Sequence, residues 1–414
     1  MNAMPFACIR PTAQNAPLVA ALPYDVYSRT EAAEAVHGRP LSFLNIDRPE
    51  TQFEPGHDMY APEVYARAAE LFWGQVASGV YERVEAPCYH LYELAQDGRT
   101  QTGIVAACPI DDFDDGTIRR HELTRPDKER DRIAHISALG AQTGPIFLSY
   151  RDDAGLNAFV AEAKAGAPLY DFTDDEGCRQ RVWEVAAPAD VERVRALFAG
   201  VPRAYIADGH HRTASAVKVG RRMREEARAA GAYTGEEEFN RVLCVLFPAS
   251  ELAILPYNRV VADRAGRTAG ELVEAVRAAG FAAETADAPF APTRPGQIGM
   301  YTAGRWWRLT VLEAGTPADD PVAALDISIL QERVLAPLLG IDDPRTDPRI
   351  SFVGGVRGLS QLERDAGAAG VAFSMFATGI SQLFDVADAN LLMPPKSTWF
   401  EPKLRSGLFI HQIA

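Results

Sequence analysis

The stretch Ala204-Tyr-Ile-Ala-Asp-Gly-His-His-Arg-Thr213 sets an apolar run directly against a polar one, with a glycine at the joint. The run predicts a strand over 204–207 and a turn at Asp208-Gly209. His210 then opens a long helix to about residue 230. Glycine admits positive φ, and the amides of a helix's first turn carry partial positive charge suited to an anion. Asp208, Gly209, His210, His211, Arg212 and Thr213 therefore form a candidate anion site. The plainer alternative is that the histidines cap the helix while Asp208 satisfies backbone amides. The density of polar groups straight after an apolar strand favours a site.

Outward from this unit, strand and helix patterns alternate. Ser28-Arg-Thr-Glu31 has the spacing of a capping box, after an apolar run over 20–27 that ends in a turn. Val64, Ala68, Leu71, Phe72 and Val76 recur at helical spacing, and 88–94 alternates as a strand. Asp97-Gly98 turns that strand into its partner over 100–108. Strands are expected over 144–150, 181–186, 240–247 and 371–376, helices over 155–165, 189–199 and 270–279, and a hairpin over 298–312. This is a mixed α/β chain. A composition shift toward Ala, Gly and Arg places a boundary near Val261, giving an α/β domain over 1–260 that holds the motif and a C-terminal α/β domain over 261–414.

With 414 residues, 47% of them hydrophobic and 24% charged, the chain has the make-up of a folded protein with a large core. A formal charge of -14 argues against a nucleic-acid partner, whose phosphates reward surplus Lys and Arg. The five cysteines (Cys8, Cys88, Cys108, Cys178, Cys244) form no CxxC pair, so neither a disulfide framework nor a zinc knuckle is signalled. Met1-Asn-Ala-Met-Pro5 shows no basic region followed by an apolar core and no uncharged apolar run approaches membrane length, so the expected location is the cytoplasm.

Three further clusters could serve chemistry. Residues 119–132 alternate cations with carboxylates, as an exposed salt-bridged helix would. The functional reading gives Arg120, His121 and Arg125 to phosphate oxygens and Glu122 to a hydroxyl as base, with Pro126 favouring a loop. Lys396, Ser397 and Thr398, followed by Lys403 and Arg405, surround two aromatics after a Pro-Pro pair; the alternative is a surface edge strand. Lys396 would neutralise a transferring phosphoryl, although no P-loop precedes it. Asp25 and the carboxylates of Asn45-Ile-Asp-Arg-Pro-Glu50 could bind Mg²⁺ through oxygen, or pair locally. The glycines of 352–355 and 367–370 complete no dinucleotide fingerprint and are expected in turns.

Asp208-Gly-His-His-Arg-Thr213, Arg120-His-Glu-Leu-Thr-Arg-Pro-Asp-Lys128 and Met393-Pro-Pro-Lys-Ser-Thr-Trp-Phe-Glu-Pro-Lys403 resemble the family catalogued as domain of unknown function 1015. Pro23-Tyr-Asp-Val26 and the 42–50 stretch extend that resemblance along nearly the whole chain. The Asp-Gly-His-His-Arg signature is also similar, over about a dozen residues, to the helix-start motif of the ParB and sulfiredoxin-like superfamily. That superfamily includes ParB nucleotide hydrolases, sulfiredoxin and free serine kinases. The resemblance implies a ParB-like core enlarged by insertions, with His211 and Arg212 on phosphate-contacting positions and Gly209 supplying the backbone approach. Sulfiredoxin's cysteine has no counterpart in this motif.

Three functions are then in play. In the first, a phosphotransferase carries a phosphoryl group between ATP or ADP and a small hydroxylated metabolite such as serine, with Mg²⁺. His210, His211 and Arg212 grip the nucleotide, Lys396 and Arg120 steady the transferring group, and Glu122 or Asp25 takes the proton. In the second, the chain is a nucleotide-dependent binding module without metabolic catalysis. The third makes His121, His210, His211 and a carboxylate a hydrolytic metal site, although adjacent histidines point in different directions.

Overall fold

The computed structural model describes residues 1–312 and 320–414. The fold is mixed α/β, and the chain divides into two compact units: Met1–Leu252 with Pro402–Ala414, and Ala253–Glu401.

The first unit is built on one branched eleven-stranded sheet. Along its main path lie Ile118–Arg119, Ala204–Asp208, Ile146–Tyr150, Arg241–Pro248, Arg99–Pro109, Tyr81–Gln96, Phe6–Pro11, Ile410–Gln412 and Ala141–Gln142. Arg179–Val185 branches off Tyr81–Gln96 and pairs with Tyr170–Thr173. Arg241–Pro248 sits inside this sheet, and every residue from Val242 to Phe247 is buried, as expected of a strand covered on both faces. Truncating a fully buried side chain there, such as Leu246 to Ala, would cost about 2–5 kcal/mol.

The apolar run at 204–207 is the strand Ala204–Asp208, parallel to Ile118–Arg119 on one side and antiparallel to Ile146–Tyr150 on the other. His210–Ala229 follows as a twenty-residue helix. Gly220 lets this helix lie against the carbonyl of Phe239; a Cβ there would fall 2.3 Å from that oxygen. The Ser28 capping box is formed, with Glu31 bonding back to the Ser28 amide at 2.8 Å.

Three expectations need correction. Pro126 does not hold its segment in a loop: it is the first residue of the helix Pro126–Leu139, where its missing N–H costs nothing. Nor is that helix an exposed one, because Glu129, Asp131, Arg132 and His135 are buried. Phe352-Val-Gly-Gly355 is not a turn; its first three residues end the strand Ile350–Gly354.

The second unit holds a six-stranded antiparallel sheet in the order Phe281–Ala286, Arg305–Val311, Gln297–Thr302, Val371–Met375, Tyr257–Val261, Ile350–Gly354. Ala253–Leu255 pairs separately with Trp399–Glu401, so the strand expected as an alternative at Trp399 does form. The helix Ala269–Ala278, opened by a Thr268–Glu271 capping box, covers a core that includes Leu272, Val273, Val276, Phe281 and Phe373.

Candidate functional site

Gly209 joins motif strand to motif helix at φ +93°, a conformation in which a Cβ would be strained. A side chain there would also meet the Arg212 guanidinium at 3.2 Å. No side chain caps this helix and no acidic residue stands in its first turn, so its leading amides and dipole are not answered by a cap.

Asp208 is held from two directions, by Arg212 (Nη2 to Oδ2, 3.0 Å) and by Lys403 (Nζ to Oδ1, 3.1 Å). Burial alone would raise its pKa, but the two cations outweigh that and hold it at about 2. Arg212 is buried, and its other Nη donates to the carbonyl of Pro145 at 2.7 Å. Its planar fork thus ties the motif to the start of the neighbouring strand, while its Nε is buried without a partner among the described residues. Thr213 donates its hydroxyl to the carbonyl of Gly209 at 3.0 Å and closes the first turn.

His121 and His210 meet edge to face with ring centroids 4.4 Å apart. Both are buried, at 2% and 8% exposure, and Nδ1 of His121 and Nε2 of His210 have no hydrogen-bond partner among the described residues. Burial lowers the His121 pKa to about 4, against opposing pulls from Asp208 and the Ile206 carbonyl. Burial and the neighbouring His121 push His210 well down too. The two rings are therefore neutral at pH 7. Glu122 is exposed beside them, with Oε2 3.9 Å from Nδ1 of His210. One nitrogen of each ring and one Glu122 oxygen lie within 4.8 Å of one another.

His211 is half-buried on another face, where its Nδ1 accepts from the Arg125 amide at 3.4 Å. Burial lowers its pKa, against the pull of Asp25 and Glu129. Arg120 is exposed, as is Arg125, whose guanidinium pairs with Asp127. Glu129 receives both Lys218 and the Thr124 hydroxyl, which pins the loop before Pro126 to the motif helix.

The early carboxylates divide. Asp25 is exposed, next to the buried Tyr24, whose ring lies 4.0 Å from the Arg132 guanidinium carbon. Asp47 and Glu50 are buried and engaged: Asp47 accepts from the Thr143 hydroxyl at 3.3 Å, and Glu50 pairs with Arg48 at 2.5 Å. For these two, local pairing is the reading that the structure gives. The C-terminal cluster divides as well. Lys403 belongs to the first unit and stands on Asp208, while Arg405 clamps Asp174. Lys396 and Ser397 belong to the second unit, where the Lys396 ammonium lies 5.7 Å from the Tyr257 ring centre and the Ser397 hydroxyl donates to the Pro394 carbonyl.

The mutual contact of His121 with His210 was not legible in the sequence, since 89 positions separate them. The parallel pairing of Ile118–Arg119 with Ala204–Asp208 brings them together. Among the described residues no helix is long and apolar enough to cross a membrane, and all five cysteines are buried and outside any disulfide.

The chain is similar to a free serine kinase mutant solved in complex with AMP, at 12% identity and a TM-score of 0.35, over 72% of this chain and 86% of that one. It is similar also to C-terminally truncated SbnI from Staphylococcus aureus, at 14% identity and 0.34, over 72% and 82%. A conserved hypothetical protein from Pyrococcus furiosus gives 12% and 0.34, over 73% and 93%. No curated protein matches. A family model described as a protein of unknown function (DUF1015) matches residues 3–328, and the chain belongs to that family.

Proposed function

We propose that the first unit binds the phosphates of an adenine nucleotide at the mouth of the motif helix and transfers a phosphoryl group to or from a small hydroxylated metabolite. The observation that carries this reading is the open start of His210–Ala229: no side-chain cap, a left-handed glycine entry, and buried, unpartnered nitrogens on two neutral imidazoles. The motif resemblance to nucleotide-handling proteins supports the same reading.

Phosphoryl transfer asks a protein mainly for positioning and charge neutralisation. His210 and His211, with the exposed Arg120 and Arg125, are the groups that would receive phosphate oxygens. Lys403 and Arg212 act through Asp208, fixing the turn that aims the first amides. Bound ATP or ADP supplies the phosphoryl group, and Mg²⁺ would find an oxygen ligand on the exposed Asp25 rather than on the engaged Asp47 and Glu50. Glu122 beside the neutral His121–His210 pair is suited to accept the hydroxyl proton. The expected results are a rise in melting temperature with ADP or ATP, and isotope exchange between ADP and ATP when a serine-like acceptor is present with Mg²⁺. Folded protein that shows neither with any of a panel of amino acids and sugars defeats this reading.

A second reading has its own observation. The three groups His121, Glu122 and His210 match the ligand types of a two-histidine, one-carboxylate metal site, and a ring nitrogen oriented by the Ile206 carbonyl is how such ligands are held. His211 is outside this set, because its Nδ1 accepts from Arg125. Elemental analysis of the purified chain separates the two: stoichiometric zinc or manganese lost in His121→Ala favours a metal centre.

A further inference from the structure

The second unit contains a cavity of about 280 Å³ lined by Arg259, Gln331, Asp342, Arg345, Pro394 and Pro395 among others. Arg259 lies on the strand Tyr257–Val261 and is 4% exposed. A guanidinium this deep is ordinarily matched by a carboxylate. Arg259 has none within 4.0 Å among the described residues. Its bonds go to the backbone carbonyls of Tyr257, Pro395 (3.5 Å) and Lys396 (3.1 Å), which engage three of its five N–H donors. Phe352 lies across its face, with the ring centre 5.5 Å from the guanidinium carbon. Burial with no carboxylate to offset it pulls this arginine down to about 10, low for a guanidinium.

The other charges on the wall are arranged differently. Arg345 and Asp343 satisfy one another through a two-pronged pair at 2.9 Å. Asp342 is exposed and makes no ion pair within 4.0 Å among the described residues, so a buried cation and an anion line one cavity without pairing together. Gln331 lies between the helical segments Asp326–Leu330 and Ala336–Leu339, at the start of a single π-helical turn, Gln331–Leu335. Such turns recur where a side chain must be re-aimed toward a ligand. Its Nε2 donates to the carbonyl of Ile341 at 2.7 Å, which fixes the amide and leaves its oxygen as an acceptor.

We infer that this cavity binds a small zwitterion of the α-amino-acid type, its carboxylate on Arg259 and its ammonium on Asp342 and the Gln331 carbonyl. The volume lies at the low end for metabolite pockets, which suits an amino acid better than a nucleotide. A ligand carrying both charges supplies each wall group with the partner that the chain does not provide. The site lies within the second unit and is independent of the nucleotide reading.

The test is calorimetric titration of the full chain with the common L-amino acids, with acetate, methylamine and inorganic phosphate as controls. At least one amino acid is expected to bind at least about tenfold more tightly than any control, because each charge-assisted hydrogen bond contributes roughly a factor of ten. Asp342→Asn alters an exposed side chain, so the fold should stand; it is expected to weaken the amino acid by about tenfold and leave acetate unchanged. Arg259→Lys should weaken both. Failure of every amino acid to bind, acetate or phosphate binding as tightly as any amino acid, or Asp342→Asn binding like the wild type would each overturn the assignment.

Discussion

Two histidine clusters in the first unit invite comparison: His121, Glu122 and His210 at the motif, and Cys88, His90 and Glu184 on the long strand and its neighbour. Both hold buried imidazoles that burial keeps neutral, His90 at about 3 and His121 at about 4. They differ in what fills the space between the groups. In the Cys88 cluster a cation is already resident: the Arg10 guanidinium reaches His90 Nε2 at 3.1 Å and pairs with both Glu184 and Glu82. Phe6 and Phe409 pack on the same histidine. In the motif cluster the nearby cations are spent on Asp208 instead, and although His90 too keeps one buried ring nitrogen, Nδ1, without a partner among the described residues, only the motif pair has no guanidinium between its rings. A built-in arginine makes a cluster structural, and its lack marks one suited to an external ligand.

Acid should expose both clusters and produce the largest change in stability. A histidine whose folded pKa is depressed leaves the unfolded chain to take up the proton first. Its stabilising effect is complete above pH 6.5 and drains away as pH falls toward the folded value, by up to about 1.4 kcal/mol per pH unit for each group. For His121 that window runs from 6.5 to about 4, and for His90 to about 3. Urea midpoints should be lower at pH 5 than at pH 7 in the wild type, with a smaller drop in His121→Gln or His90→Gln. Because an anion favours protonated imidazole, ADP should restore more stability at pH 5 than at pH 7. That gain should shrink in His121→Gln, where His210 is left, and persist in full in His90→Gln. Equal loss in both variants would erase the distinction drawn between the clusters.

Arg10→Ala comes next. It strips the resident cation from His90, Glu82 and Glu184, of which only the histidine is fully buried, so the cost should fall near about 3 kcal/mol in denaturant unfolding. Nucleotide affinity should not move. A loss of ADP binding in a folded Arg10 variant would mean that the two clusters are not separate.

How much of this could be read in the sequence follows from the range of each interaction. Local chemistry was legible: the strand, turn and helix at 204–229, the capping box at Ser28 and the hairpin after Gln297 all depend on residues a few positions apart. The strands Phe6–Pro11 and Ile410–Gln412 were missed, because they are specified by pairing with one another and, on their outer sides, with Tyr81–Gln96 and Ala141–Gln142 respectively. The site shows the same division. Gly209 and the two motif histidines announce themselves, whereas the contact between His121 and His210 and the placement of Lys403 on Asp208 depend on chain crossings that no periodicity encodes. Pro126 was misjudged because a proline that breaks a helix in its middle is equally at home at its first residue.

Gly209→Ala tests the frame of the open cluster. The left-handed φ penalises any Cβ by about 1–2 kcal/mol, and the Arg212 guanidinium 3.2 Å away must give as well. Stability should fall by about that amount, and the rise in melting temperature with ADP should fall further than stability alone predicts, since the leading amides are re-aimed. An unchanged ADP response would remove the helix mouth from the proposed site.

The smallest effect belongs to Lys403→Met, which asks whether Asp208 serves the fold or the ligand. The lysine side chain is 15% exposed and that of Asp208 is 29% exposed, so solvent screens the pair and its loss should cost only about 1 kcal/mol. Arg212 remains to hold the carboxylate, but with one cation gone the pKa of Asp208 must rise from about 2 toward its ordinary range. A depressed carboxylate stabilises the fold above its unfolded value near 3.8 and loses that contribution as pH falls through the folded value. The acid limb of the stability curve below pH 4 should therefore flatten in the variant, while the histidine-governed loss between pH 6.5 and 4 stays as it was. If instead the upper limb changes, Lys403 is coupled to the His121–His210 pair directly, and the motif cluster has a resident cation of its own after all.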